Sequence, residues 1–331
     1  MRISVLGAGS WGTTVACVAS SRNDTVLWAR DPDVADEIET ERENTRYLKG
    51  FKVPHRLHAT SDLEKAVAVA DVLVMGIPSQ SFRSVLVEAK ANLRPWVPVV
   101  SLTKGFEQGS LLRMSEVIKD VLPGHPAAVL SGPNLAKEIM AGFAAASVVA
   151  TEDPQVAKAL QGVLHRDLFR VYTNNDVVGC EVGGALKNVV AIAAGMAEGL
   201  SVGDNTRAAV MTRGLAELTR LGVAMGGQPA TFSGLAGLGD LVATCSSPQS
   251  RNRYVGEQLG RGRTLVDILD EMKMVAEGVK TVGVVMQLAK LHNVEMPISR
   301  YIHSVIEGTA TASEIYAGLL REKPGSEFDP M

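Results

Sequence analysis

The feature that most constrains this chain lies at its start. Arg2-Ile3-Ser4-Val5-Leu6 is a short β-branched and apolar run, and Gly7-Ala8-Gly9-Ser10-Trp11-Gly12 follows it directly. A helical stretch, Thr13 to Ser21, comes next, and then a second strand-like run, Thr25 to Arg30. Alone, Gly-x-Gly-x-x-Gly recurs by chance in glycine-rich chains. Between a strand and a helix, with a strand soon after, it marks a dinucleotide-binding unit. Gly7 permits the tight turn, Gly9 lets a pyrophosphate reach the backbone, and Gly12 lets helix and strand pack closely. The helix N-terminus offers free N–H groups to the phosphates. A ligand-free strand–turn–helix is the weaker reading of this context.

Which dinucleotide is left open by the next turn. An acidic residue closing the second strand reads the ribose 2′-OH of NAD, whereas an arginine there accommodates the 2′-phosphate of NADP. The chain offers Arg30-Asp31, and Asp31 before Pro32 could equally cap a helix. Arg30 at the strand end is the better placed, so NADP is permitted alongside NAD.

Beyond this point strand-like runs alternate with helical ones. The clearest strands lie at 71–77, 97–102, 127–130 and 146–150, a pattern that argues for a mostly parallel sheet covered by helices. From residue 176 the β signals fade and helical segments take over, at about 176–200, 204–225, 278–291 and 311–320. The reading is α/β: a Rossmann-like NAD(P)-binding domain over 1–175, then an all-helical substrate-binding and catalytic domain over 176–331. Lys323 to Met331 reads as a frayed tail.

At 331 residues and 46% hydrophobic the chain can build two cores, and a net charge of −3 gives no basic field for nucleic acid. The cysteines, Cys17, Cys180 and Cys245, are too widely spaced for a metal or redox motif, which fits reduced cytoplasmic thiols. Neither a signal peptide nor an apolar run long enough to span a membrane is expected. No metal is expected either.

Several polar motifs interrupt this scaffold. Ser101-Leu102-Thr103-Lys104-Gly105 puts a lysine just beyond a buried strand, where open α/β sheets bind ligands; a surface charge closing the strand is the alternative. Ser131-Gly132-Pro133-Asn134-Leu135-Ala136 has proline at a helix N1 position, so its N–H groups suit an anion as well as an ordinary helix start. In the helical half, Gly183-Gly184-Ala185-Leu186-Lys187-Asn188 sits in a helix starting near Asp176. Three glycines within six residues (Gly179, Gly183, Gly184) cost roughly 1 kcal/mol each against alanine, so something approaches the backbone, another helix or a ligand. Lys187 beside that gap suits a carbonyl substrate, or it snorkels to solvent from a helix crossing. Asp240, after a glycine-rich stretch, either serves the site or caps a helix. Ser250-Arg251-Asn252-Arg253, at a helix start, has phosphate-binding chemistry, with a solvated surface run as the alternative for any single residue.

Taken together these motifs closely resemble the bacterial NAD(P)-dependent glycerol-3-phosphate dehydrogenases. The match spans nearly the whole chain: GAGSWG at 7–12, LWARD at 27–31, SGPNLAKE at 131–138, GGALKN at 183–188, FSGLAGLGDL at 232–241, SRNR at 250–253 and EGV at 277–279. GGALKN with SRNR at this separation is specific to that family. The resemblance implies reversible reduction of dihydroxyacetone phosphate to sn-glycerol 3-phosphate, feeding glycerophospholipid synthesis, with NADH or NADPH as cofactor. It implies Lys187 as the catalytic acid/base. It implies substrate contacts from Lys104, Gly132, Asn134, Lys187, Asp240, Ser250, Arg251 and Asn252. Cofactor contacts would come from Ser10, Trp11, Arg30, Lys104, Ala136, Arg251, Val275 and Glu277, with Gly7, Gly9 and Gly12 forming the cradle. The family usually has serine or threonine where this chain has Asn134. Members of that family are commonly homodimers, so a homodimer is expected; charge and the lack of a signal or spanning run make the cytoplasm the default, with no nucleic-acid partner and no membrane insertion.

The chemistry fits these residues. Hydride transfer to a C2 carbonyl leaves an alkoxide that must gain a proton. Lysine, with an ordinary pKa of about 10.4, exchanges protons efficiently near neutrality only when burial or a second cation lowers it. Lys104 and apolar helix packing would act in that direction, while Asp240 would oppose it and orient the amine. The nearer alternative is another two-domain dehydrogenase, for a 3-hydroxy acid or acyl-CoA, which SRNR disfavours. The more distant is a redox sensor, which would have no use for Lys187, Lys104 and Asp240.

Overall fold

The computed structural model describes residues 1–272 and 276–319. The chain divides into two compact units, Met1–Val177 and Val178–Met331, two residues from the boundary expected.

In the first unit the strands are β1 (Arg2–Leu6), β2 (Asp24–Trp28), β3 (Leu57–Thr60), β4 (Val72–Met75), β5 (Val99–Ser101), β6 (Ala127–Ser131), β7 (Ala145–Ala150) and β8 (Phe169–Asn174). They form one sheet in the order β3-β2-β1-β4-β5-β6-β7-β8, parallel throughout except where β6 meets β7. The first six follow the doubly wound order of nucleotide-binding sheets. Between them run α1 (Ser10–Ser20), α2 (Pro32–Thr40), α3 (Thr45–Leu48), α4 (Leu63–Ala68), α5 (Ser79–Lys90), α6 (Met114–Val121), α7 (Ala136–Met140) and α8 (Pro154–Leu164).

The sheet is covered on both faces, which explains why its central strands are apolar runs rather than alternating ones. Along β4, Val72 and Val74 join one core with Val15 of α1, Ile38 of α2 and Leu160 of α8. Leu73 and Met75 join the other with Phe82 and Leu86 of α5 and Val117 and Ile118 of α6. The period of two sends each residue to the opposite layer.

The second unit is helical: α9 (Val177–Gly199), α10 (Asp204–Ala224), α11 (Pro229–Phe232), a π turn over Leu235–Gly239, α12 (Asp240–Ser246), α13 (Arg251–Gly260), α14 (Leu265–Glu271), α15 (Glu277–Leu291), α16 (Pro297–Ile306) and α17 (Ala312–Leu319). At 23 residues and mean hydropathy 1.5, α9 is long and apolar enough to cross a membrane, which corrects the expectation that no segment is. Its most apolar window is 94% buried, however, as befits a helix that is apolar all round and forms the core of a helical unit. Val190, Ala191 and Ala194 pack on Leu241 and Cys245 of α12 and on Met211 and Leu215 of α10.

Glycine lets α13 lie directly against α9. A Cβ on Gly256 would stand 2.0 Å from the carbonyl oxygen of Ile192, and one on Gly195 would stand 2.0 Å from that of Arg253. Gly199 and Gly260 repeat the pattern one turn on, with their Cβ positions 2.2 Å from Glu257 O and 2.5 Å from Met196 O. Higher in α9, a Cβ on Gly183 would stand 2.8 Å from the carbonyl oxygen of Ala236 in the π turn. The close approach expected at Gly183 is therefore made by another stretch of backbone.

Candidate active site

The turn after β1 has the geometry its glycines dictate. Gly7 adopts φ +109°, and a Cβ there would meet Gly76 O at 2.4 Å. A Cβ on Gly12 would meet Gly7 O at 1.9 Å. Gly9 is different, because a Cβ there would meet nothing within 4 Å. The chain itself does not require glycine at that position, and the free space borders the start of α1, whose first N–H groups lack intrahelical partners. A pyrophosphate fits such a cradle. Ser10 donates its hydroxyl to Tyr47 O at 2.6 Å. Trp11 packs edge-on against Phe169, at 6.2 Å between centroids, and its buried Nε1 has no hydrogen-bond acceptor among the described residues.

The β2 ladder ends at Trp28, so Arg30 lies two residues beyond the strand rather than closing it, and it is exposed. The extended chain persists for one more residue, since Ala29 N donates to Thr60 O at 3.0 Å. Asp31 caps α2 by accepting from Asp33 N at 3.1 Å.

Beyond β5, Lys104 Nζ donates to Gly132 O at 2.9 Å, which joins the loops after β5 and β6. Gly132 adopts φ +128° and has Ser147 Cα 3.2 Å from its Cβ position, so only glycine suits the bend. Ser147 Oγ donates to Ser131 O at 2.9 Å and lies 3.1 Å from Asn134 Oδ1, while the buried Asn134 Nδ2 has no partner among the described residues. The expected helix start at Pro133 is corrected: α7 begins at Ala136 with Leu135 at its N-cap, because the Gly132 bend turns the chain first.

In the second unit Lys187 is only 6% exposed and donates to Asp240 Oδ1 at 2.6 Å and to Thr244 Oγ1 at 2.5 Å. The lysine does not snorkel to solvent. Nor is Asp240 a cap; it stands inside continuous helix, where Gly239 is already helical after the π turn. Asp240 and Thr244 lie one turn apart on α12 and face the amine together. Thr244 was missed from sequence, although its spacing from Asp240 carries the signal.

A second polar set lies beside this one. Asn252 Nδ2 donates to Asn188 Oδ1 at 2.9 Å, and Asn252 Oδ1 accepts from Gly278 N at 2.9 Å, which ties α9, α13 and α15 together. Ser250 caps α13 by accepting from Arg253 N at 3.2 Å. Arg251 is the first residue of that helix and is exposed; the protein around its base lowers its pKa, and the Glu277 carboxylate opposes the shift. Cys245 is buried beside the lysine, and its thiol is pushed up to about 12, which keeps it unreactive. Val275 lies outside the described residues.

An α/β unit with an open dinucleotide cradle and a helical unit holding a buried lysine–aspartate pair define the class of two-domain NAD(P)-dependent oxidoreductases. Comparisons with known proteins narrow this class. The NAD-dependent glycerol-3-phosphate dehydrogenase N-terminus model matches residues 2–157, and the C-terminus model of the same name matches residues 176–317. The NAD(P)+ glycerol-3-phosphate dehydrogenase 2 of Sphingopyxis alaskensis is 58% identical over 330 residues, covering 100% of this chain and 99% of its own length. That of Mycobacterium avium is 52% identical over 98% of this chain and 96% of its own. Among solved structures, glycerol-3-phosphate dehydrogenase from Coxiella burnetii superposes with a TM-score of 0.93 at 37% identity, covering 97% of this chain and 99% of its own. The chain belongs to the NAD-dependent glycerol-3-phosphate dehydrogenase family.

Proposed function

We propose that this protein reversibly reduces dihydroxyacetone phosphate to sn-glycerol 3-phosphate at the expense of NADH or NADPH. The observation that carries the reading is the sealed Lys187–Asp240–Thr244 cluster in the helical unit of a chain from this family.

When bound, NAD(P)H supplies a hydride to C2 of the substrate. Gly7, Gly9, Ser10, Trp11, Gly12 and Arg30 would hold it in the first unit, with Lys104 and Ala136; in the second, Arg251, Val275 and Glu277 would do so. As the C2 carbonyl becomes an alkoxide, the Lys187 ammonium gives up a proton from Nζ and the substrate oxygen becomes a hydroxyl. Asp240 and Thr244 fix where that amine points. In the reverse direction neutral Lys187 accepts the hydroxyl proton.

The substrate phosphate is assigned to Arg251, with Ser250 and Asn252 at the N-terminus of α13. A guanidinium and free helix N–H groups are both good phosphate partners. Lys104, Gly132 and Asn134 are the proposed substrate contacts of the first unit. The unpartnered Asn134 Nδ2 supports a donor role there in place of the hydroxyl usual in the family.

A homodimer in the cytoplasm that feeds glycerophospholipid synthesis completes the proposal, supported by the family resemblance and by three free cysteines. The test is NADH and NADPH oxidation by the purified protein with dihydroxyacetone phosphate and with unphosphorylated dihydroxyacetone. Strong preference for the phosphorylated ketone is expected. Equal rates with both would defeat the proposal, and sedimentation as a monomer would remove the dimer.

A further inference from the structure

The short helix α3 sits over the cofactor cradle by design of its first residues. Asn44, fully buried, donates from Nδ2 to Ala8 O and to Thr13 Oγ1, both at 2.9 Å. Its Oδ1 caps α3 by accepting from Tyr47 N at 3.2 Å. Ser10 adds a third tie, to Tyr47 O. The segment after α2 is thereby strapped to the Gly7–Gly12 turn, and the strap delivers one side chain to the end of β2. Arg46 pairs with Asp31 there, at 2.6 Å from Nη1 to Oδ2.

Both oxygens of Asp31 are therefore engaged, Oδ1 by the α2 cap and Oδ2 by Arg46. An acid held this way is poorly available to a ribose 2′-OH. The same position presents the guanidinium of Arg46 and, from the residue beside Asp31, the exposed Arg30. With side chains 56% and 44% exposed, the Arg46–Asp31 pair is a weak one, which a phosphate dianion can displace. Of the acids near this segment, Glu37 accepts from Thr45 N, Glu43 accepts from Gly50 N and pairs with Lys52, and Asp33 lies in the first turn of α2.

We propose that Arg46, delivered by α3, is a second cation of the 2′-phosphate subsite and tilts this protein toward NADPH. The inference rests on the reading of the first unit as the cofactor unit.

Titrations of NADPH and NADH into the full chain, wild type, Arg46→Ala and Asp31→Asn, test it. Asparagine still caps α2 but carries no charge. Arg46→Ala should weaken NADPH at least about fivefold more than NADH, the scale expected for one charge-assisted phosphate contact. Asp31→Asn should shift the ratio the other way, because it frees Arg46 and removes a repulsive charge. Equal losses for both cofactors in Arg46→Ala, or a fall in the NADPH:NADH affinity ratio in Asp31→Asn, would overturn the inference. Should wild type bind neither cofactor, the cofactor reading itself fails.

Discussion

Lys187 and Asp240, 53 residues apart in sequence, meet at 2.6 Å with side chains only 7% and 2% exposed. A charge pair that deep is held by its surroundings on both sides, so each partner is needed to make the other tolerable. Removing one leaves a buried charge uncompensated, at about 3–5 kcal/mol.

Lys187→Met should therefore lower both turnover and stability. Loss of a general acid is expected to slow turnover roughly 100-fold to 10,000-fold. Adding Asp240→Asn should recover much of the stability without recovering the rate. Urea denaturation and steady-state kinetics on the single and double variants check both. Near-wild-type turnover in Lys187→Met would end the proton-donor assignment.

Arg251→Lys keeps the charge but loses the planar fork that grips phosphate oxygens. KM for dihydroxyacetone phosphate should rise, and kcat/KM should fall at least about tenfold, on the order of 1.4 kcal/mol. Whatever weak activity exists toward unphosphorylated dihydroxyacetone should change far less. A uniform loss on both ketones would place the phosphate elsewhere.

Two glycine-to-alanine changes should part company. Gly256→Ala drives a methyl group to within 2.0 Å of the Ile192 carbonyl oxygen, so a stability loss at or above the usual overpacking range of about 1–3 kcal/mol is expected. Gly9→Ala meets only open space and should cost less than about 1 kcal/mol of stability, while cofactor affinity falls. Thermal melts with and without NADH separate the two effects.

Glu217 supplies a pH signature. It is 3% exposed and accepts from Ile298 N, Ser299 N and Ser299 Oγ at the start of α16, yet burial holds its pKa above the usual carboxylate value. Between the unfolded pKa and the raised folded one, the native state binds more protons, so this group's contribution to stability falls as pH rises through that window. Glu217→Gln should flatten that part of the profile while destabilising at every pH, because its amide nitrogen cannot accept from the helix N–H groups. Urea midpoints across the acid range measure it, and an unchanged slope would exclude Glu217 as the source.

Much of this was legible in the residues themselves. The Gly7–Gly12 turn and the apolar strands announced the sheet, because central parallel strands cannot hide their composition. The two outlying strands were not read. β3 is four residues long and includes a histidine, while β8 alternates Phe169, Arg170, Val171 and Tyr172 at period two, unlike the continuous apolar runs of the central strands. Three short helices of the second unit, α11, α14 and α16, are not legible either, because four to ten residues give too little periodicity. In the site, Lys187, Asp240 and Arg251 stood out by type and spacing. What sequence could not supply was the fate of each side chain: Lys187 sealed rather than solvated, Asp240 inside a helix rather than capping it, Arg30 past the strand end. Those outcomes depend on contacts between segments far apart in the chain. Asn44 left no local trace, since a lone asparagine reads as a turn residue.

The glycine contacts between α9 and α13 set how the second unit can loosen. With main chain pressed on main chain at Gly195, Gly199, Gly256 and Gly260, no side chain is available there to change rotamer and absorb a shift. Either helix can rise only by carrying the other. In hydrogen exchange the central amides of both should then open as one cooperative block, and Lys187 and Asn252, one on each helix, would lose their register only when that block as a whole is released.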